Sequence, residues 1–369
     1  MAETPSSDDD RWMRLALSLG RRGLGRCWPN PSVGCVIVKD GRVVGRGWTQ
    51  PGGRPHAEAQ ALAQAKARAR GATAYVTLEP CAHQGQTPPC ASALVDAGLV
   101  RVVTAVSDPD PRVDGGGHAI LRAAGMALTT GVRETQARRS HAGFFSKVTR
   151  GRPMVTLKLA TTLDGRIATA TGESKWITGP EARRAGYALR ARHDAVLIGA
   201  ETARADDPTL TVRDLGIAHQ PVRVVVSRDL NVPFPSKLTA TAHVAPLWIM
   251  HGAQALKDRR EMFEAAGAKL FACQSNTEGL DPASVVRGLA DAGLTRVYCE
   301  GGGSLGAALM RAGLVDDIVL FTAGAAIGAE GRAGLGNLSL SALADAPRCT
   351  LLEQRRVGKD LMSHWSRQP

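Results

Sequence analysis

The sequence predicts an α/β protein made of two domains in tandem. Three observations carry this. The chain has 369 residues, longer than one hydrophobic core usually serves. Strand-like and helix-like segments alternate along it in two separate series. Between the series, after Gly131, the periodicity breaks. The stretch HAGFFSKVTRGRP (141–153) shows no clear period, ends in Gly-Arg-Pro and reads as a linker. The expected domains are residues 1–145 and 146–369. No internal repeat is evident.

In the first series, Trp12, Leu15 and Leu19 recur at helical spacing, with aspartates near the start to complement the helix dipole. VGCVIVKDGRVVGRGW reads as a β-hairpin, two β-branched runs joined by Asp40-Gly41, a dipeptide suited to a tight turn. HAEAQALAQAKARARG is an Ala-rich helix ending at Gly71, ATAYVTLEP a strand, PPCASALVDAG a helix and RVVTAVSD a strand. That order describes a three-layer α/β domain. The second series places strands at PMVTLKLA, DAVLIGA, PVRVVVS, APLWIM, KLFA, RVYCE and DIVLFTA. Helices fall at EARRAGYALRAR, ALKDRREMFEAAG, DPASVVRGLADAG and SLGAALMRAG. This alternation implies a largely parallel sheet covered on both faces.

Composition narrows the class. Apolar residues make up 44% but aromatics only 4%, so the cores must be built from Ala, Val and Leu. No apolar run approaches the ~20 residues that span a bilayer. The acidic, polar N-terminus argues against a signal or transit peptide, so a soluble cytoplasmic protein is expected. A net charge of +12 favours anionic partners, either nucleic acid or phosphorylated small molecules. Seven cysteines, an odd number, do not suggest a disulfide framework. Cys27, Cys35, Cys273, Cys299 and Cys349 lie alone in apolar or strand-like surroundings and read as buried, inert thiols.

Cys81 and Cys90 differ. They sit in LEPCAHQGQTPPC (78–90), eight residues apart, each preceded by proline. Upstream, Pro55-His56-Ala57-Glu58 opens the Ala-rich helix. A catalytic zinc takes three nitrogen or sulfur ligands and keeps a fourth position for water. His56 and Cys90 fall at helix starts, where the dipole favours the thiolate form of cysteine. Glu58, near the same helix start as His56, is placed to move protons. His-x-Glu followed by Pro-Cys and a second Cys is the arrangement of zinc nucleobase deaminases. The eight intervening residues AHQGQTPP form a loop expected to shape a substrate pocket, with His83 projecting into it.

In the second half, CEGGGSLGAALM (299–310) links a strand to a helix, and Gly301, Gly303 and Gly306 satisfy G-x-G-x-x-G. The glycines would let backbone approach a phosphate at a helix start. A dinucleotide fold of the Rossmann type places this motif on its first strand, with an acid ~20 residues later. Here it comes after about five strands, so a plain tight turn or a phosphate loop in another α/β fold both remain open.

PNPSVGCVIVKDG, HAEAQAL, GATAYVTLEPCAHQGQTPPC and DPDPRVDGGG resemble the deaminase half of the bifunctional riboflavin-biosynthesis deaminase–reductases. KLATTLDGRIA, GESKWITGPEAR, LRARHDAVLIGAETARADDPTLTVR and the EGGGSL loop resemble the reductase half. The resemblance covers nearly the whole chain in the expected order. It implies a cytidine-deaminase-like domain followed by a dihydrofolate-reductase-like α/β domain. One zinc would be held by His56, Cys81 and Cys90, with Glu58 as proton shuttle and Asn30 and His83 in the substrate pocket. It further implies NADPH lined by Ala160, Trp176, Thr202, Asp206 and Gly302, Gly303, Ser304, Leu305, Gly306, Ala307 and Ala308. Arg228 would lie near the adenosine end, where a cation suits the 2′-phosphate. Ser174, Arg190, Leu210, Arg213 and Glu300 would hold substrate, the two guanidiniums being suited to bidentate contact with a phosphate. No side chain of this half stands out as a general acid.

The implied activity is removal of the 2-amino group from 2,5-diamino-6-(5-phosphoribosylamino)pyrimidin-4-one, then NADPH-dependent reduction of the ribosyl group to a ribityl chain. The implied partner is a phosphorylated pyrimidine, with no nucleic acid or membrane, in a homo-oligomer. Three positions depart from the family pattern. Thr49 stands where relatives commonly carry His, DPDP where DPNP is commoner, and Thr162 where Ser is more usual before Leu-Asp-Gly. A nucleic-acid-editing deaminase is the competing reading. The low aromatic content, which leaves few platforms for base stacking, argues against it. A purely structural zinc module would need a fourth protein ligand.

Overall fold

The computed structural model describes residues 6–84 and 88–368. It divides into two compact units, Met1–Arg152 and Pro153–Pro369.

In the first unit, Ser6 caps helix α1 (Ser7–Gly20) through a reciprocal capping box with Asp9. The hairpin β1 (Gly34–Lys39) and β2 (Arg42–Trp48) follows, turning at Asp40 and Gly41, both with positive φ. Helix α2 (Ala57–Ala65) stops short of Gly71, because Lys66 takes a left-handed φ and the chain continues as a 3-10 turn. Then come β3 (Thr73–Val76), α3 (Cys90–Asp96), β4 (Arg101–Thr104), α4 (Gly116–Ala123), β5 (Ala127–Thr129), α5 (Glu134–Ser140) and α6 (Ala142–Arg150). The sheet order is β2-β1-β3-β4-β5, antiparallel through β1 and parallel from β3 to β5.

The stretch read as a linker is therefore largely helix. Helix α6 sets Phe144 into the core of the first unit, and Phe145 and Val148 pack against it. One nine-residue helix offers too few turns for its apolar face to register as periodic in sequence. The core is Ala-, Val- and Leu-rich, as the composition requires. Of the five cysteines expected to be buried, Cys27, Cys35, Cys273 and Cys299 are; Cys349 is only half-buried.

The second unit holds a nine-stranded sheet in the order β11-β10-β9-β8-β14-β6-β15-β18-β17. Its elements run β6 (Met154–Thr162), β7 (Arg166–Ala168), α7 (Pro180–Arg190), β8 (Ala195–Gly199), α8 (Ala200–Asp206), β9 (Val222–Val226) and α9 (Lys237–Ala240). They continue as β10 (Leu247–Gly252), α10 (Lys257–Ala265), β11 (Ala268–Cys273), the short pair β12 (Ser275–Asn276) and β13 (Gly279–Leu280), α11 (Pro282–Asp291) and β14 (Arg296–Cys299). The last are α12 (Gly303–Arg311), β15 (Asp317–Ala323), β16 (Arg332–Ala333), β17 (Cys349–Val357) and β18 (Asp360–Arg367). From β11 to β15 every neighbour is parallel, while β18 and β17 add antiparallel. The ends of β8, β14 and β6 therefore share one edge of the sheet, where ligands of open α/β folds bind. No helix among the described residues is long and apolar enough to cross a membrane.

Candidate functional site

His56 sits at the N-cap of α2, Cys81 in the connection after β3 and Cys90 at the first position of α3. The sheet brings these three separated positions together, with all three donor atoms within 4.8 Å of one another. His56 Nδ1 lies 3.3 Å from Cys90 Sγ and 3.7 Å from Cys81 Sγ, and the Cys90 N–H donates to Cys81 Sγ at 3.3 Å. The hydrogen bond from Cys90 pulls the Cys81 thiol down to about 4, with His56 and the Cys90 amide adding to it against burial. Cys90 is pushed the other way, first by Cys81 and then by burial. A nitrogen and two thiols, one of them with its pKa held down, make a donor set that fits zinc, and a divalent cation is what would let both thiols ionise.

Glu58 lies in the first turn of α2 and is 4% exposed. Burial, then the charge of Cys81, raises its carboxyl to about 7. A carboxyl so poised can both accept and return a proton near neutral pH. His83 is half-buried, and its Nδ1 has no hydrogen-bond partner among the described residues. Gly85–Thr87 of the expected pocket loop lie outside the described residues. The Asn30 amide presses on the backbone just before His56. A Cβ on Gly53, whose φ is +87°, would stand 1.9 Å from Asn30 Nδ2, so only glycine fits there.

The three departures from the family pattern now have structural accounts. Thr49 is buried and turned inward, its hydroxyl accepting the Val33 N–H at 2.9 Å, so it serves the fold at the end of β2. Asp110 spends its carboxylate on Arg112, whose Nε lies 2.9 Å and Nη2 2.5 Å away. Thr162 keeps its hydroxyl in play, donating to Asp164 Oδ1 and accepting the Arg166 N–H.

Sequence reasoning passed over Glu79. It is buried, and its carboxylate accepts the N–H groups of Asp108, Gly115 and His118 at 3.3, 3.2 and 3.0 Å. It thereby pins the segment before α4 onto Pro80-Cys81. Gly117 fits so closely that a Cβ there would stand 1.9 Å from the Pro80 carbonyl oxygen. The available signal was an acid at the end of the stretch ATAYVTLEP, directly before Pro80-Cys81.

In the second unit two clefts open along the same helix, α8. The first, of 820 Å³, is lined by Thr202, Arg228, Gly302, Ser304, Leu305, Ala307 and Ala308, all of the cofactor set. Gly303 and Gly306 turn away from it, Gly303 toward the Ala333 and Gly336 backbone and Gly306 toward Leu157 and Leu335. Gly302 is the N-cap of α12, and its N–H donates to the Thr202 hydroxyl at 3.2 Å. The second cleft, of 540 Å³, gathers Ser174, Arg190, Leu210, Arg213 and Glu300, the substrate set, together with Ala160, Trp176 and Asp206. Those last three belong to the substrate cleft's lining and not to that of the first cleft.

At the base of the second cleft, Arg190 clamps Glu300 through Nε at 2.5 Å and Nη2 at 3.1 Å, while its Nη1 donates to the Thr211 carbonyl at 2.8 Å. The fork expected to face a phosphate is thus occupied by a carboxylate. Arg213 is exposed, braced by the Tyr187 hydroxyl at 2.7 Å, and remains open to an anion. Lys158, not singled out from sequence, lines this cleft with Nζ 3.9 Å from Glu300. Burial raises the Glu300 carboxyl, but Arg190 and Lys158 outweigh it and hold it below the usual range. Burial also lowers the Lys158 ammonium, against the attraction of Glu300. A lysine in the apolar run PMVTLKLA was the readable sign. Trp176 is 69% exposed at the rim, stacked under Arg183 at 4.5 Å.

Comparison with known proteins follows this division. Residues 6–106 match the cytidine and deoxycytidylate deaminase zinc-binding region, and residues 153–363 match the RibD C-terminal domain. The chain is 40% identical to the riboflavin biosynthesis protein RibD of Escherichia coli K12 over 367 residues, covering 96% of this chain and 98% of that one. It is 38% identical to RibD of Aquifex aeolicus over 359 residues, covering 97% and 98%. Among solved structures, Acinetobacter baumannii RibD (form 1) superposes with a TM-score of 0.87 at 37% identity, covering 98% and 99%. The diaminohydroxyphosphoribosylaminopyrimidine deaminase/5-amino-6-(5-phosphoribosylamino)uracil reductase of Thermotoga maritima gives 0.85 at 30% identity with the same coverage. A deaminase-type unit followed by a RibD-type reductase unit, matched from end to end, means that this chain belongs to the RibD family of riboflavin-biosynthesis proteins.

Proposed function

We propose that the chain catalyses two consecutive steps of riboflavin biosynthesis, deaminating 2,5-diamino-6-(5-phosphoribosylamino)pyrimidin-4-one and then reducing its ribosyl group to give 5-amino-6-(5-phosphoribitylamino)uracil. The observation that carries this reading is the convergence of His56, Cys81 and Cys90 beside the buried, proton-poised Glu58. In the deamination, water adds at the carbon bearing the 2-amino group and ammonia leaves. His56, Cys81 and Cys90 would hold a zinc ion, which when bound would supply Lewis acidity to that addition. Glu58 takes a proton from the water and delivers one to the departing amine. Asn30 and His83 orient the pyrimidine.

In the reduction, C1′ of the ribosyl group gains a hydride, the C1′–O4′ bond opens and O4′ gains a proton; NADPH, when bound, would supply that hydride and leave as NADP⁺. Thr202, Arg228 and the start of α12 from Gly302 to Ala308 would hold that cofactor. Ala160, Trp176 and Asp206, which line the second cleft with the substrate residues, would receive its nicotinamide. Arg213 holds the phosphate, and Glu300, Lys158 and Arg190 form the charged floor under the ribose. The chain works as a cytoplasmic homo-oligomer without nucleic-acid or membrane partners. Thiolate ligands suit a reducing compartment, and β17, a sheet edge with most of its nine residues exposed, suits pairing with a second copy. Light scattering tests the oligomer, and a monomer would count against it.

The test of function mixes purified protein with the diaminopyrimidine and NADPH and follows ammonia release and NADPH oxidation together. Both should occur, and Glu58→Ala should lose ammonia release while retaining its zinc. Neither activity in folded, zinc-loaded protein would overturn the assignment.

A further inference from the structure

Residues 207–221 connect α8 to β9 without helix or strand, yet 206–210 and Arg213 line the second cleft. Within that connection Leu210 has φ +55° and is 3% exposed. A bulky L-residue in the left-handed region is strained, and such strain persists only where the surroundings over-determine it. The surroundings here are two guanidiniums acting on the carbonyls either side of Leu210. Arg190 Nη1 donates to Thr211 O at 2.8 Å, and Arg223 Nη1 donates to Thr209 O at 3.3 Å.

Arg223 is unusual. It lies on β9, paired on both sides by β8 and β10, and is fully buried. Its partners are all neutral: besides Thr209 O, they are the Thr241 hydroxyl at 2.7 Å, the Thr241 carbonyl at 3.0 Å and the Ala245 carbonyl at 2.5 Å. No carboxylate is among them. Burial lowers this guanidinium only to about 10, so it stays charged at neutral pH. The one guanidinium thus joins the two segments: Nη2 and Nη1 hold the α9–β10 connection, and Nη1 also reaches the cleft loop. Gln220 adds a second tie, accepting the Val212 N–H at 2.7 Å and donating to its carbonyl at 3.2 Å, directly before Arg213.

We propose that Arg223 is a positioning residue for the reductase, holding the 207–213 loop in its strained, substrate-ready shape from behind the cleft, with Gln220 as its second tie. The inference rests on the reading that this loop binds the phosphorylated ribosyl substrate. The free energy of a left-handed L-residue is of the same order as one charge-assisted hydrogen bond supplies, so loss of the Arg223 tie is enough to release Leu210. Arg223 touches neither cleft, so its effect must pass through the loop's shape.

The test uses the full chain with Arg223→Lys, Arg223→Met, Gln220→Ala and Arg213→Ala. For each, kcat and KM of the reductase are measured with 5-amino-6-(5-phosphoribosylamino)uracil, along with KM for NADPH, ammonia release and thermal unfolding. The expected result is a rise of about ten-fold or more in substrate KM for Arg223→Met and Gln220→Ala, misplacement of a binding group being costly. Arg223→Lys should recover part of it, while KM for NADPH and ammonia release hold. A purely structural arginine would lower the melting temperature and leave substrate KM where it was, and that outcome in Arg223→Met overturns the proposal. Should the Arg223 variants fail to fold, unchanged KM in Gln220→Ala overturns it instead. If Arg213→Ala raises KM while these do not, only the positioning role falls. If Arg213→Ala is also silent, the reading of the loop as substrate-binding falls.

Discussion

Glu300→Gln probes the charged floor of the second cleft. The substitution keeps the shape and one acceptor but turns an NH₂ toward an arginine donor and removes the only acid clamped by Arg190 at 2.5 and 3.1 Å. Arg190, 9% exposed, and the half-buried Lys158 then face each other without the carboxylate between them, Asp206 being left to act on Lys158. Removing one partner of a buried pair costs about 3–5 kcal/mol, and because this floor opens into the cleft, the low end, ~3 kcal/mol, applies. In a domain of this size ~3 kcal/mol lowers the melting temperature by roughly 6–12 °C. Differential scanning fluorimetry at pH 7 reads the shift. The sign with pH follows from Glu300 being held below its ordinary value of 4.5. A depressed carboxylate contributes stability that is full above the unfolded pKa and lost as pH falls through the folded one. Wild type and variant should therefore converge in acid. NADPH oxidation should fall by about 100-fold, the order expected when a bound substrate is misplaced by about 1 Å, with ammonia release unchanged. A variant that melts with wild type at pH 7 and oxidises NADPH at full rate would refute the reasoning.

Three further outcomes are expected. Chelation, or Cys81→Ser, should abolish ammonia release yet leave NADPH oxidation on the already deaminated substrate; retention of ammonia release by a zinc-depleted chain would contradict the donor assignment. Arg228→Glu should raise KM for NADPH by about ten-fold or more and narrow the preference over NADH, since an acid suits the cofactor lacking the 2′-phosphate; steady-state kinetics with both cofactors decides this. The Thr162 hydroxyl and the Gly328 and Ile327 amides hold the Asp164 carboxyl down to about 2. Its contribution is thus full above the ordinary carboxylate range and fades between about pH 4 and 2, so Asp164→Asn should flatten the acid limb of the unfolding curve. An unaltered limb would exclude it.

Much of the molecule was legible before any coordinates because it is written in local patterns. The Asp40-Gly41 turn, the Ala-rich helix, and the seven apolar strand segments of the second half each announce themselves within a dozen residues. Helix α6 and the closing hairpin β17–β18 did not. The first is too short for its period to register, and the second is an exposed edge whose Glu353–Arg356 run carries no buried alternation. The types and spacing of His56, Glu58, Cys81 and Cys90 were likewise readable, because a helix start leaves its mark in the residues around it.

What the chain alone determined, then, is the order of its elements and the chemistry each can carry. What only the tertiary structure decided is which distant groups meet. Glu300 meets Arg190 across 110 positions and Lys158 beneath them. Arg223 reaches back to Thr209, and Thr49 turns into the fold while Asp110 turns to Arg112. Periodicity and turn chemistry act over a few residues and leave a record there. A buried charge finds its partner through the sheet order, and that order is settled only when the whole core has packed.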